Sequence, residues 1–199
     1  MRGLGEVLVP LFKTDKMPIS SHALLPYVVQ ELENTRPYKV LDLGLGNGIY
    51  GALVLNYSKI LIGRIPWIVG VEAWEGYEGP LWECYDEIHR NRLQDFITDR
   101  KFELIIMMDV IEHLKLKEGR GQLIRYKSML ATGGVLLVST PAVFCPQGAY
   151  EGNPYEEHKC LWKPKHFREM GFTAARDPEG SLFGEKMLIY KFTKQEEKK

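Results

Sequence analysis

Asp109, Glu112 and His113 stand at spacings of three and four residues, which puts all three on one face if that stretch is helical. Two carboxylates and an imidazole gathered this way can exchange protons near neutrality, where histidine titrates. With His158 from a later segment they also make a ligand set for Mg2+, Mn2+ or Fe2+. His158 closes the polar cluster Tyr155-Glu156-Glu157-His158, shortly after Tyr150, in the longest stretch without periodicity, residues 141–163. That stretch has the composition of a lid. His113, His158 and Tyr155 are therefore the candidate catalytic groups. Plainer roles are open to them as well: His113 can fix a turn by hydrogen bonding, and Tyr155 can close over a ligand without taking part in chemistry.

A second site type is written in backbone. Val40-Leu41-Asp42-Leu43 runs directly into Gly44-Leu45-Gly46-Asn47-Gly48. Glycines after a strand let the main chain approach a ligand beyond the strand's carboxyl end. The literal dinucleotide pattern G-x-G-x-x-G is met by residues 46–51, and Glu72 follows Gly51 by 21 residues. Asp42 argues against that reading, because a carboxylate under the loop would repel a pyrophosphate. Beside a sulfonium and an amino group the same charge is favourable. Glu72 fits either cofactor, since a carboxylate can accept two ribose hydroxyl bonds.

The string Asp-x-Gly-x-Gly-x-Gly at residues 42–48 resembles motif I of class I S-adenosylmethionine (SAM) methyltransferases, type 11/12-like. Three further landmarks follow in the family's order: Glu72 in Gly-Val-Glu-Ala, the Asp-Val-Ile-Glu-His-Leu run at 109–114, and Gly-Gly-strand-Thr-Pro at 133–141. The likeness covers about residues 38–141 and continues more loosely through His158, Trp162 and Gly171-Phe172. It implies SAM as cofactor. Asp42, Gly44, Leu45, Gly46 and Gly48 would hold the methionine end, Glu72 the ribose, and Asp109 and Val110 would lie beside the cofactor. The family's acid for the adenine amino group falls on Arg92, followed by Leu93; an arginine accepts no hydrogen bond. Adenine would then rest on the Leu93 backbone under Ala73 and Trp74, with Asp95 as the substitute if the register slips. Trp74, like Trp67 and Trp82, can equally pack between sheet and helix. A few relatives that modify vicinal hydroxyls use a metal set similar to Asp109, Glu112, His113 and His158, whereas many carry the Glu-His pair with no metal. The Asn/Asp-Pro-Pro-aromatic motif of amino methylation is absent, which leans toward an oxygen or carbon acceptor.

The elements that must position these groups are legible as alternation. Apolar runs at 39–43, 66–72, 85–89, 102–109 and 134–140 predict strands, with two more at 173–176 and 186–192. Amphipathic stretches at 22–34, 48–58, 121–130 and 164–170 predict helices between them. The expected fold is α/β: a doubly wound, Rossmann-like, seven-stranded and mostly parallel sheet with a C-terminal antiparallel strand. One domain over residues 1–193 is expected, with a cap at 1–38, a cofactor-binding half at 39–141, a substrate side at 142–193, and a frayed tail at 194–199. The apolar piece at 4–12 could cover the site or pair with another copy.

Composition narrows the function. With 199 residues, 26 basic and 26 acidic side chains cancel, so no global field attracts nucleic acid or anionic membrane. The basic group Lys159, Lys163, Lys165, His166 and Arg168 reads as a solvated helix face, and no interleaved aromatics stack bases. Nucleic acid is thus an unfavoured acceptor. Lys59 and Arg64 interrupt the richest apolar stretch, at 49–71, so no membrane span is expected. No charged-then-apolar leader opens the chain. Cys84, Cys145 and Cys160, with no CxxC spacing, read as reduced thiols of a cytoplasmic protein. The leading expectation is methyl transfer from SAM to a small-molecule or saccharide-type acceptor. A non-catalytic protein of the same fold and an NAD(P)-dependent oxidoreductase are the alternatives.

Overall fold

Continuous runs of Val, Ile and Leu suit strands covered on both faces. In the computed structural model, which describes residues 22–175 and 187–196, seven strands form one sheet. They are β1 (Lys39–Leu43), β2 (Trp67–Glu72), β3 (Glu87–Arg90), β4 (Phe102–Met107), β5 (Leu130–Pro141), β6 (Thr173–Ala174) and β7 (Met187–Thr193). Their order is β3-β2-β1-β4-β5-β7-β6. The first five pair in parallel, and β7 runs antiparallel to both β5 and β6. This is the expected α/β architecture with its antiparallel C-terminal strand.

Side-chain alternation sorts the core into two layers. Leu41, Leu43, Val69, Ile105, Met107, Leu136 and Val138 pack with Leu123 and Tyr126 of α3 (Leu116–Ser128) and Phe167 of α4 (Pro164–Arg168). Their neighbours Val40, Ile68, Leu104, Ile106, Val135 and Leu137 pack with Val28 and Leu32 of α1 (Leu25–Thr35) and Val54 of α2 (Ile49–Leu61). Successive strand residues point to opposite faces, so one sheet serves both layers.

Element boundaries differ from expectation for local reasons. The third strand begins at Glu87 because Tyr85 turns inward under α2 and the Asp86 carboxylate accepts from the Ile68 amide at 2.7 Å. The fourth ends at Met107, since Asp109 has a φ of 54° and leaves the strand. Helix α3 begins at Leu116 and runs through Gly119, whose missing side chain admits the Trp162 ring; a Cβ there would sit 2.6 Å from it. The segment at 4–12, most of the expected cap, the position 176 strand end and the last residues of the tail lie outside the described residues. No described helix is long and apolar enough to cross a membrane.

Candidate active site

Strand order reverses direction between β1 and β4, and in such sheets the ligand crevice lies there, beyond the carboxyl ends. The turns after both strands meet at that point. A Cβ on Gly44 would lie 2.5 Å from Val110 Cγ2, so only glycine lets the turns close against each other. Gly44, Gly46 and Gly48 all have positive φ, at 74°, 50° and 85°, a conformation glycine adopts without steric cost. Around Gly46 a Cβ would meet nothing within 4 Å, so this part of the loop is open.

Glu72, at the end of β2, ties the loop down. Its Oε2 accepts from the Gly46 amide at 3.1 Å and its Oε1 from the Trp74 amide at 2.9 Å. Burial raises its pKa, against the pull of those amides and with the help of the Glu156 charge. Two amides leave lone pairs on this carboxylate for further donors. The opposite side of the loop is held by the Trp82 indole, which donates to the Gly46 carbonyl at 2.8 Å. Arg90 stacks over Trp82 and donates to the Tyr77 carbonyl at 2.6 Å, pinning the turn after β2.

Asp42 lies deeper. Its Oδ2 accepts from the Tyr85 hydroxyl at 2.5 Å, and that hydroxyl in turn accepts from the Gly51 amide at 3.0 Å. Burial pushes the Asp42 carboxyl up to about 7, opposed by the Tyr85 bond and aided by the Glu72 charge.

A cleft of about 600 Å3 opens above these turns, within the range of small-molecule and cofactor sites. It brings together Gly44, Leu45, Gly46, Glu72, Ala73, Arg92, Leu93, Asp109, Val110, His113, Tyr155 and His158. Three expected cofactor residues do not line it: Asp42 and Gly48 lie beneath the loop, and Trp74 packs edge-on against the Tyr155 ring with centroids 6.5 Å apart. Arg92 pairs with Asp95 at 2.6 Å, so Asp95 is engaged and does not line the cleft. The Leu93 carbonyl takes the Tyr126 hydroxyl at 2.8 Å and Arg125 at 2.7 Å.

On the side facing β4 and β5 the geometry departs from a helical face. Residues Ile111–His113 form a 3-10 turn, and Asp109 stands before it with Oδ1 accepting the Ser139 hydroxyl at 2.7 Å. Glu112 is buried, and burial followed by the Asp109 charge holds its carboxyl well above the usual range. His113 is pushed down to about 4, first by burial and then by His158. The two imidazoles lie with centroids 4.9 Å apart and planes tilted by 57°. Backbone bonds from Lys159 and Cys160 to the Glu112 carbonyl, at 2.8 and 3.3 Å, dock the later segment here.

Tyr77 and Gln147 also line the cleft, and nothing in their spacing marked them. Tyr77 donates to Glu156 Oε1 at 2.9 Å, and Gln147 Nε2 to the Glu156 carbonyl at 2.8 Å. These partners meet across loops, so only tertiary structure joins them.

The chain has the fold of class I SAM-dependent methyltransferases. It superposes on the 1,6-didemethyltoxoflavin-N1-methyltransferase of Burkholderia thailandensis, solved with its substrate and S-adenosylhomocysteine, with a TM-score of 0.64 at 16% identity, covering 87% of this chain and 79% of that one. The N-methyltransferase NodS of Bradyrhizobium japonicum gives 0.58 at 16% identity over 86% and 98% of the two chains. A SAM-bound amino pentose methyltransferase from Micromonospora echinaspora gives 0.58 at 16% over 87% and 91%. No protein-family model and no curated protein matches the sequence.

Proposed function

We propose that the protein transfers a methyl group from SAM to a small-molecule or saccharide-type acceptor, at a hydroxyl oxygen. The observation that carries this reading is the Glu72 carboxylate, bonded to the Gly46 and Trp74 amides with acceptor capacity left over, at the edge of an open glycine loop. Those residues fit the cofactor: Glu72 for the ribose hydroxyls, the Gly44–Gly46 backbone for the methionine end, and Ala73 and Leu93 for the adenine faces. Asp42 sits below that loop and accepts from Tyr85, whose hydroxyl in turn accepts from the Gly51 amide in the first turn of α2.

Bound there, SAM supplies a methyl group already activated on a positively charged sulfur. The chain's own task is to align the acceptor and remove its proton. The Glu112–His113–His158 cluster, on the cleft wall formed after β4, is where an acceptor hydroxyl gives up that proton. Tyr155, Tyr77 and Glu156 line the same cleft and bound the space for the acceptor. An acceptor of sugar or heterocycle size is consistent with the known structures that share the fold. The acceptor oxygen would take the methyl group as the carbon–sulfur bond breaks, with the hydroxyl proton lost at the Glu112–His113–His158 cluster.

Calorimetric titration with S-adenosylhomocysteine tests the reading. Saturable binding that weakens on Glu72→Ala is expected. Absence of heat at about 1 mM ligand, weaker than any useful cofactor affinity, would rule it out.

A further inference from the structure

One carboxylate oxygen of Glu112 and one ring nitrogen each of His113 and His158 lie within 4.8 Å of one another. Three further observations bear on that cluster. Glu112 Oε2 is buried and meets no donor in good hydrogen-bond geometry, although the Thr140 hydroxyl stabilises the charged carboxylate; a further ligand would offset the cost of that burial. Each imidazole is anchored through Nδ1 to a backbone carbonyl, His113 to Glu157 at 3.3 Å and His158 to Cys145 at 2.6 Å. A carbonyl only accepts, so Nδ1 of His158 carries the proton and the lone pair is left on its Nε2, while His113 also meets the Asp109 backbone. Metal-bound histidines are oriented by the same kind of outer bond. Finally, Glu112 and His158, without His113, border a small hollow of about 10 Å3 behind the cleft wall, room for roughly one water-sized body.

We infer that Glu112, His113 and His158 bind one divalent transition-metal ion on the acceptor side of the cleft. Two neutral imidazoles and one carboxylate suit Mn2+, Fe2+, Co2+ or Zn2+, whereas Mg2+ and Ca2+ prefer oxygen ligands throughout. Asp109 contributes no atom to this group; its Oδ1 accepts from Ser139. Two donors at about 2.1 Å from one ion lie roughly 3–4 Å apart, so side chains already within 4.8 Å of one another need only small adjustments to share it. Three protein ligands leave positions open for water or a substrate oxygen. In the methyl-transfer reading, on which this role rests, a bound ion would acidify the acceptor hydroxyl, whose proton would leave to water. The imidazoles then serve as ligands and not as the base.

The test is a Co2+ titration of the chelator-treated full chain, followed by visible absorption and calorimetry. One ion per chain with a visible ligand-field band is expected. Glu112→Gln and His158→Gln should each weaken binding at least about tenfold, while His89→Gln, away from the cleft, leaves it unchanged. S-adenosylhomocysteine titration of the same His158→Gln sample reports on the cofactor loop independently, so retained nucleoside binding with lost Co2+ binding supports the site. No saturable Co2+ or Zn2+ binding by the parent protein, or unchanged affinity in His158→Gln, overturns it. Metal binding without any S-adenosylhomocysteine binding would leave the ion site standing and remove the methyl-transfer reading.

Discussion

At Asp42, burial and hydrogen bonding pull in opposite directions, and burial wins: the carboxyl sits near 7 against an ordinary 3.8 despite the 2.5 Å bond from Tyr85. A raised folded-state pKa means the native protein holds this proton after the unfolded chain has lost it. The group's contribution is therefore fully present below about pH 4 and is lost as pH rises to about 7, by up to about 4 kcal/mol for a shift near three units. Asp42→Asn keeps an acceptor for Tyr85 and removes the charge. Denaturant unfolding should show the variant gaining on the parent protein across that window, with the difference flat above it; a constant difference throughout would refute the assignment. Glu72 carries a different load. Glu72→Ala removes the anchors of two amides and the acceptor for the ribose, each charged bond worth about 1.5–3 kcal/mol, so S-adenosylhomocysteine binding should weaken by about 10- to 1000-fold in calorimetry.

The contact between α2 and the Tyr85 ring shows how elements are locked to the site. Gly51 lies inside α2, where alanine would ordinarily add about 1 kcal/mol of helix stability. Here a Cβ would meet the Tyr85 ring at 2.3 Å, and that ring is held by Asp42 and the Gly51 amide. Gly51→Ala should thus destabilise by about 1–3 kcal/mol, as overpacked cores do. In a Tyr85→Ala background the same change should become neutral or stabilising, and a double-mutant cycle in denaturant measures that reversal. None of this was visible in the glycine pattern itself. Read as a motif, Gly51 completes a phosphate-binding string; in the fold it is the gap that admits an aromatic ring.

For the molecule as a whole, both core layers converge on the sheet whose carboxyl ends carry the cleft, so ligand binding is read out in global stability. A ligand at about 100 times its dissociation constant adds about 2.7 kcal/mol. In a chain of this length that corresponds to a rise of about 5–10 °C in the unfolding midpoint. S-adenosylhomocysteine should produce that shift in a thermal melt and NAD+ should produce none. The reverse pattern would favour an oxidoreductase and discard the methyl-transfer reading.

Local sequence was enough to specify the strand–glycine–helix unit of Asp42 to Gly51, the acid ending β2 and the parallel, doubly wound fold. Each depends on near neighbours: an apolar run that must be covered, and glycines where φ turns positive. It also named Glu112, His113 and His158. What it could not decide was their grouping. A helical face would have joined Asp109 to Glu112 and His113, whereas the chain leaves β4 with a positive φ and a 3-10 turn, and Ser139 takes the Asp109 carboxylate. His158 reaches the cluster only because the Lys159 and Cys160 amides dock on the Glu112 carbonyl. In the same way Asp42 is directed to Tyr85, and Tyr77 to Glu156, by packing between segments 43 and 79 residues apart. Such pairings depend on where buried side chains find room and partners, and that is settled by tertiary packing and not by spacing along the chain.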